Sequence, residues 1–325
     1  MESALEVVGV TKDFGRKRAV EDLNLIVPRG SIYGFIGPSG AGKTTAIRMI
    51  MSILFPDSGT LRVLGFASAL QAKDRIGYLP EERGAYRKMK VGAFLAYLGK
   101  LKNVPRDEVE SRAARLLTRL GLEDVEQKRC EDLSKGMLQR VQFVGAIINQ
   151  PDLLILDEPF SGLDPVSVKL LRGVIDDEHE RGATILFSTH VMSHAEEMCQ
   201  HVVMIHQGRK VLDEPMTGLR RQYDTSRIRL EPLEVDADIS VLNAVPGIDR
   251  IESAGDRCEI YLRDAADPLA AMRSAASLVP PARIEFARLR LEDVFIRLVT
   301  GSTGNESNDA LRANLQGVAS EGAAG

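Results

Sequence analysis

Residues 37–45 read GPSGAGKTT, the stretch of this chain best suited to handling phosphate. An apolar run ending in Tyr33-Gly34-Phe35-Ile36 precedes them. A helix-like run, Ala46-Ile47-Arg48-Met49-Ile50, follows. Strand, glycine-rich turn and helix are the context in which G-x-x-x-x-G-K-[ST] cradles a phosphate. Gly37, Gly40 and Gly42 lack Cβ atoms, so backbone N–H groups can converge on phosphate oxygens. Pro38, Ser39, Ala41 and Thr45 complete the loop. A helix starting near Gly42 turns its positive end to the same point. Lys43 can reach the β- and γ-phosphates, and the Thr44 hydroxyl is placed to ligate Mg²⁺.

Residues 153–158 read Leu-Leu-Ile-Leu-Asp-Glu. The four apolar residues predict a buried central strand of a parallel sheet. Asp157 and Glu158 stand at its carboxyl end, where α/β sheets place ligand chemistry. Asp157 is expected to hold Mg²⁺ through water, leaving Glu158 free to polarise an attacking water opposite the γ-phosphate. Upstream, Leu133-Ser134-Lys135-Gly136-Met137 opens a helix-like run. Taken alone, that is no more than a helix N-cap. Order changes its weight: Ser134-Lys135-Gly136, Asp157-Glu158, Ser161-Gly162-Leu163-Asp164 and Thr189-His190 all follow the phosphate loop in turn.

With these motifs in this order, the chain resembles the ATP-binding subunit of an ATP-binding-cassette (ABC) transporter, over residues 5–215. GPSGAGKTT matches the Walker A loop, and LLILDE matches Walker B. LSKGM resembles the family signature, SGLD matches the D-loop, and His190 matches the switch histidine. Phe14, in Lys12-Asp13-Phe14-Gly15, sits where the family keeps an aromatic that stacks on adenine. The resemblance implies that Ser134, Gly136 and Asp164 contact ATP bound to an opposite subunit. ATP would then join two cassettes, as a homodimer or a paired cassette. There are two departures. Glu81, in Tyr78-Leu79-Pro80-Glu81, replaces the usual Gln, and Lys135 and Met137 replace Gly and Gln of the signature. Glu81 still offers an oxygen to Mg²⁺ and to the attacking water, but an ionised carboxylate cannot donate as Gln does. YLPEERG with LSKGM is similar to the type 2 exporter group, which includes sodium- and drug-efflux ATPases.

The implied fold class is α/β: a P-loop NTPase with a RecA-like parallel sheet, an antiparallel β subdomain and a helical signature subdomain near residues 88–150. The implied function is export driven by MgATP through a separate membrane permease. The subunit itself would lie on the cytoplasmic side of the cell membrane as a peripheral protein. The alternative is a soluble ABC-type ATPase with a non-transport role. Only one phosphate loop is present, against the two of translation-type members. About 90 residues separate Lys43 from Ser134, too few for the coiled coils of repair-type members. No N-K-x-D motif supports a GTPase, and an intact Glu158 argues against a module that binds ATP without turnover.

Bulk properties fit this reading. The chain has 325 residues, 44% apolar and 27% charged, enough for two domains with full cores. A net charge of −4 argues against a nucleic-acid binder, which would be basic. Cys130, Cys199 and Cys258 form no C-x-x-C and read as ordinary thiols of a reducing compartment. The start, MESALEVV, has no secretory pattern, and no run is long enough to span a bilayer.

Alternation at residues 5–10 and 22–27 predicts antiparallel strands. Helices are expected at 91–101, with a stripe of Phe94, Leu95 and Leu98, and from Pro105 to Gly121. Further helices are expected at 139–148, 168–181 and 192–200, with strands at 60–65, 76–79, 183–188 and 201–206. His179, His194, His201 and His206 show no metal-ligand spacing and read as surface or satisfied histidines. The nucleotide motifs stop by residue 216, which sets the first domain at 1–216. Residues 217–300 alternate as β-α-β-β-α-β plus one helix, a small ferredoxin-like α+β domain for regulation or dimer contact. Residues 301–325, rich in Gly, Ser, Asn and Ala, are expected to be disordered.

Overall fold

The computed structural model describes residues 2–300 apart from 83, 85, 224–226, 235, 264–265 and 287–289. The expected tail at 301–325 lies outside the described residues. The chain divides into two compact units, one up to Glu214 and one spanning Pro215–Arg297.

In the first unit, β1 (Ser3–Phe14) and β2 (Lys17–Pro28) pair antiparallel, with Leu5 opposite Val27 and Val7 opposite Leu25. These inward residues are at most 2% exposed, the burial that alternation predicts. The hairpin closes on Gly15-Arg16, so Phe14 faces Lys17 across the last rung. The buried strand β3 (Ile32–Ile36) leads into the phosphate loop and α1 (Lys43–Ile50). β4 (Ser58–Val63) then returns to the other edge of β1, and β5 (Ile76–Leu79) follows a 3-10 segment, Ala69–Arg75. The expected strand at 60–65 therefore starts and stops two residues earlier.

Three helices follow. α2 is Val91–Leu101, α3 is Arg106–Arg119 and α4 is Lys135–Ile147. Of the predicted stripe, Phe94 and Leu95 are buried and Leu98 is half-buried. Ser134 caps α4, so that helix begins four residues before the predicted 139. β6 (Leu153–Asp157), α5 (Pro165–Glu180), β7 (Thr184–Thr189), α6 (Met192–Met198), β8 (His201–His206) and β9 (Arg209–Pro215) complete the unit. The expected helix at 168–181 also starts early, because the Asp164 carboxylate accepts the Val166 and Ser167 N–H groups ahead of Pro165's turn. β9 was not foreseen. It returns beside β8 through Gln207 and Gly208, both at positive φ, the turn geometry that closes antiparallel hairpins.

The large sheet has the order β5-β6-β7-β3-β8-β9. β5, β6, β7, β3 and β8 run parallel. β3, β6 and β7 are buried at every position, as expected of strands covered on both faces. Their carboxyl ends carry the phosphate loop, Asp157-Glu158 and Thr189-His190 along one edge. Cys130, Cys199 and Cys258 are free and buried. No helix among the described residues is long and apolar enough to cross a membrane.

The second unit opens with α7 (Met216–Tyr223), also not foreseen. β10 (Arg227–Pro232), a 3-10 turn (Ile239–Ala244), β11 (Ile248–Ala254), β12 (Arg257–Leu262), α8 (Pro268–Leu278), β13 (Pro281–Phe286) and α9 (Leu291–Thr300) follow. The strand order β11-β12-β10-β13 is all antiparallel and is the ferredoxin-like arrangement, except that a 3-10 turn stands where the first helix was expected. Ile228, Leu230 and Ile260 form its core with Leu242, Ala271 and Ala275.

Candidate functional site: a phosphate-loop cavity with a carboxylate pair

The phosphate loop holds its shape through backbone that only glycine accepts easily. Gly42 has φ +111°, and a Cβ there would stand 2.4 Å from the Ala19 carbonyl oxygen. A Cβ on Gly37 would stand 2.2 Å from Ile205 O. Both are collisions with backbone, so neither position admits a side chain. Lys43 is 6% exposed and its ammonium donates to Gly37 O (2.7 Å) and Pro38 O (3.2 Å). Glu158 Oε1 lies 3.6 Å away. Burial pulls the Lys43 pKa below its ordinary value, against the charges of Glu158, Asp157 and Glu81.

Phe14, Lys17, Ala19, Ser39, Gly40, Gly42, Lys43, Thr44, Thr45, Glu81, Glu158 and His190 line one cavity of about 290 Å³. The hairpin register brings Phe14 and Lys17 to it together. Phe14 is 49% exposed, leaving its ring free to stack on a base.

Three oxygen donors converge on the helix side. Thr44 Oγ1 lies 3.2 Å from Glu81 Oε2 and 3.4 Å from Asp157 Oδ1. Asp157 is 1% exposed, and burial raises its pKa against the hydrogen bonds from Ser188 and Thr44. Its Oδ2 is buried without a hydrogen-bond partner. Such an orphan carboxylate oxygen beside a hydroxyl and a second carboxylate suits a hard cation. Among the described residues no group of three or more His, Cys, Asp or Glu could hold a metal alone. That fits Mg²⁺, which takes one or two carboxylates plus phosphate and water rather than a full protein cage.

On the other side, Ser188 Oγ donates to Asp157 Oδ1 (2.5 Å) and accepts the Glu158 N–H (3.0 Å). One hydroxyl thus sets both acidic residues. Glu158 has φ +51°, a left-handed conformation costing roughly 1 kcal/mol or more in a residue with a side chain. Its Oε2 meets His190 Nδ1 at 3.0 Å. That bond raises the His190 pKa above 6.5, against its partial burial.

Ser134, Gly136 and Asp164 do not line this cavity. Ser134 Oγ accepts the Met137 N–H, and Asp164 also accepts from the Ser167 hydroxyl at 2.6 Å. Both are helix caps within their own chain. Sequence reasoning missed Ser188 and Gln139. Gln139 Nε2 donates to Pro159 O at 2.6 Å and so pins the loop after Glu158. Ser188 left a readable signal, a hydroxyl closing the apolar run Ile185-Leu186-Phe187. Gln139 left none, because its partner is a backbone carbonyl distant in sequence.

The sequence profile described as ABC transporter matches residues 20–161. The chain is 36% identical to the ABC transporter ATP-binding protein YhaQ of Bacillus subtilis (strain 168), over 91% of this chain and 98% of that one. It is 33% identical to the Nod factor export ATP-binding protein I of Ralstonia nicotianae, over 94% and 95%. A solved structure of an ATP-binding subunit of an ABC transporter superposes with TM-score 0.64 and 31% identity, covering 68% of this chain and 93% of that one. The phosphate loop, the carboxylate pair and a likeness spanning nearly the whole chain agree: this chain belongs to the ATP-binding subunits of ABC transporters, which bind and hydrolyse ATP.

Proposed function

We propose that two copies of this cassette, or this cassette and a paired one, close on MgATP and drive export through a separate membrane permease. The subunit would sit as a peripheral protein on the cytoplasmic side of the membrane. The observation that carries the reading is the convergence of Lys43, Thr44, Asp157, Glu158 and His190 at one sheet edge, with Asp157 Oδ2 left unpaired. Thr44, Asp157 and Glu81 would hold Mg²⁺, which when bound neutralises charge on the β- and γ-phosphates. Lys43 exchanges its two carbonyl partners for phosphate oxygens. The Glu158 carboxylate takes a proton from the attacking water. His190 holds the far oxygen of that carboxylate and donates toward the γ-phosphate. Phe14 stacks on adenine.

Ser134, Gly136 and Asp164 stand outside the cavity of their own chain, which supports their meeting the nucleotide of a second cassette. Loss of the γ-phosphate would then remove bonds to both subunits and let the dimer open. A second cavity, of about 610 Å³, is lined by Tyr78, Leu79, Tyr86, Phe94, Leu98 and Leu101 among others. Burial there pushes the Tyr78 pKa up to about 12. Its apolar lining suits a short helix of the permease, since no described helix of this chain can cross a bilayer. Likeness to subunits named for Nod factor export supports the outward direction. The second unit carries no catalytic constellation among its described residues, which supports regulation or dimer contact.

The test is fractionation of cells expressing the full chain with and without its neighbouring multi-span protein. Membrane association only in the co-expressed case is expected. A chain that stays out of the membrane fraction in both cases would favour a non-transport ATPase.

A further inference from the structure

We propose that His194 is a positioning residue for hydrolysis, acting through the ring of Phe160 on the alignment of Glu158 with His190. The proposal rests on the roles given above to those two residues. Phe160 follows Glu158 by two positions and is 5% exposed. Its ring stands edge-on between two others. Phe187 lies at a centroid distance of 6.1 Å and 79°, and His194 at 4.9 Å and 67°. Phe187 precedes His190 by three residues on β7, and His194 follows it by four on the first turn of α6. A ring from the Glu158 segment is therefore held by the residues on both sides of His190.

Two hydrogen bonds tie the backbone of the Glu158 segment to other elements. They are Glu158 N–H to Ser188 Oγ and Gln139 Nε2 to Pro159 O. Neither reaches α6. That helix has only seven residues, and its first turn has no side-chain cap. The ring pair Phe160–His194 thus adds a contact between the Glu158 segment and the start of α6. The single 3.0 Å bond from His190 to Glu158 spans the same gap, so a small change in ring packing displaces it.

The imidazole serves here as a ring rather than as a hydrogen-bonding group. Its Nδ1 is buried without a partner. Burial lowers the ring's pKa, together with His190 and Arg172 and against Glu197 and Glu158. Arg172 is itself paired with Glu197. The histidine expected to be satisfied or exposed is therefore half-buried and, at Nδ1, unsatisfied.

The test is steady-state ATP turnover of the full chain, with kcat and KM resolved. His194→Ala should lower kcat about tenfold with KM for ATP nearly unchanged, less than the hundredfold that a misplacement of about 1 Å can cost. His194→Phe, which restores an aromatic edge, should recover kcat to within about twofold of wild type. In a His190→Ala background, His194→Ala should cost nothing further, because the contact it supports is already gone. Phe160→Leu should lower kcat as His194→Ala does, and it carries the test if His194→Ala does not fold. Wild-type kcat in His194→Ala, additive loss on top of His190→Ala, or no rescue by His194→Phe would each overturn the proposal. Glu158→Gln is the control. Full turnover in that variant would sink the parent reading, and this one with it. An inactive Glu158→Gln beside an unaffected His194→Ala would sink this one alone.

Discussion

The two units bury charge in opposite ways. At the sheet edge of the first, Lys43 is 6% exposed, yet its closest partners are neutral carbonyls, with Glu158 farther off at 3.6 Å. Asp157 is 1% exposed with one oxygen unpaired, and Glu158 sits in a left-handed conformation. On the sheet of the second, Arg227 is 9% exposed but meets Glu259 at 2.8 Å and Asp293 at 3.2 Å. Arg229 meets Glu259 at 3.0 Å and Glu285 at 3.2 Å, with only its Nε unpartnered. The pairs of the second unit neutralise one another within the fold. Those of the first leave Lys43 on neutral carbonyls and one Asp157 oxygen unpaired, an arrangement that a triphosphate and a cation would complete. Incompletely paired charge at a sheet edge suits a charged ligand; charge paired between neighbouring strands ties those strands together.

The sharpest way to break this comparison is Glu158→Gln, which keeps shape and removes the base. Turnover should fall by about 10²- to 10⁴-fold, while equilibrium dialysis still finds nucleotide bound. A variant that keeps turning over would show that the left-handed carboxylate is not the base. Lys43→Ala should weaken ATP binding by roughly tenfold to a hundredfold, the weight of a charge-assisted hydrogen bond, and hydrolysis should fall with it. Calorimetry giving wild-type affinity would mean that residues 37–45 do not form the working site.

In the second unit, Arg227→Ala removes the cation shared by Glu259 and Asp293 and leaves Arg229 on Glu259. Chemical unfolding of the full chain should show that unit weakened by about 3 kcal/mol, with ATP affinity unchanged. A change in ATP affinity instead would show that these charges are not merely structural. Glu81→Gln removes one charge from the oxygen cluster at Thr44. The Mg²⁺ concentration for half-maximal turnover should rise a few-fold, with activity retained through Thr44, Asp157 and Glu158. Superimposable Mg²⁺ titrations would place Glu81 outside the metal's reach. Complete loss of turnover with normal nucleotide binding would make Glu81 a second essential carboxylate and reopen the assignment of the base to Glu158.

The smallest effect is on pH. The folded-state pKa of His190 is raised by its bond to Glu158. The stabilisation from that pair is therefore complete below the unfolded value near 6.5 and is lost as pH rises through the higher folded value. His190 is only partly buried, so solvent screens the pair from its side and the fall should stay below about 1 kcal/mol. His190→Gln should flatten that limb of the stability curve. An unchanged limb would assign it to another group.

Legibility in the sequence followed the range of the interaction. Gly37, Gly40, Gly42, Lys43 and Thr44 are a local device of a few residues, so their types and spacing already state the chemistry. β3, β6 and β7 were readable because strands buried on both faces are unbroken apolar runs. The starts of α4 and α5 were placed late, because the capping oxygens of Ser134 and Asp164 begin a helix before its apolar face does. β9 was missed because it lacks a sustained apolar pattern and is held by pairing with β8.

The sequence by itself determined the phosphate loop, the carboxylate pair, the Thr189-His190 strand end and their order, because each is written within a few neighbouring residues. Only the tertiary structure decided how they meet. Ser188 bridges Asp157 and Glu158 across 31 and 30 residues. Gln139 on α4 pins Pro159 in the loop after β6, and His194 on α6 meets the ring of Phe160 in the same loop. These contacts join strands and helices that parallel-sheet topology makes neighbours in space after long crossovers. No local pattern of residue types encodes that adjacency.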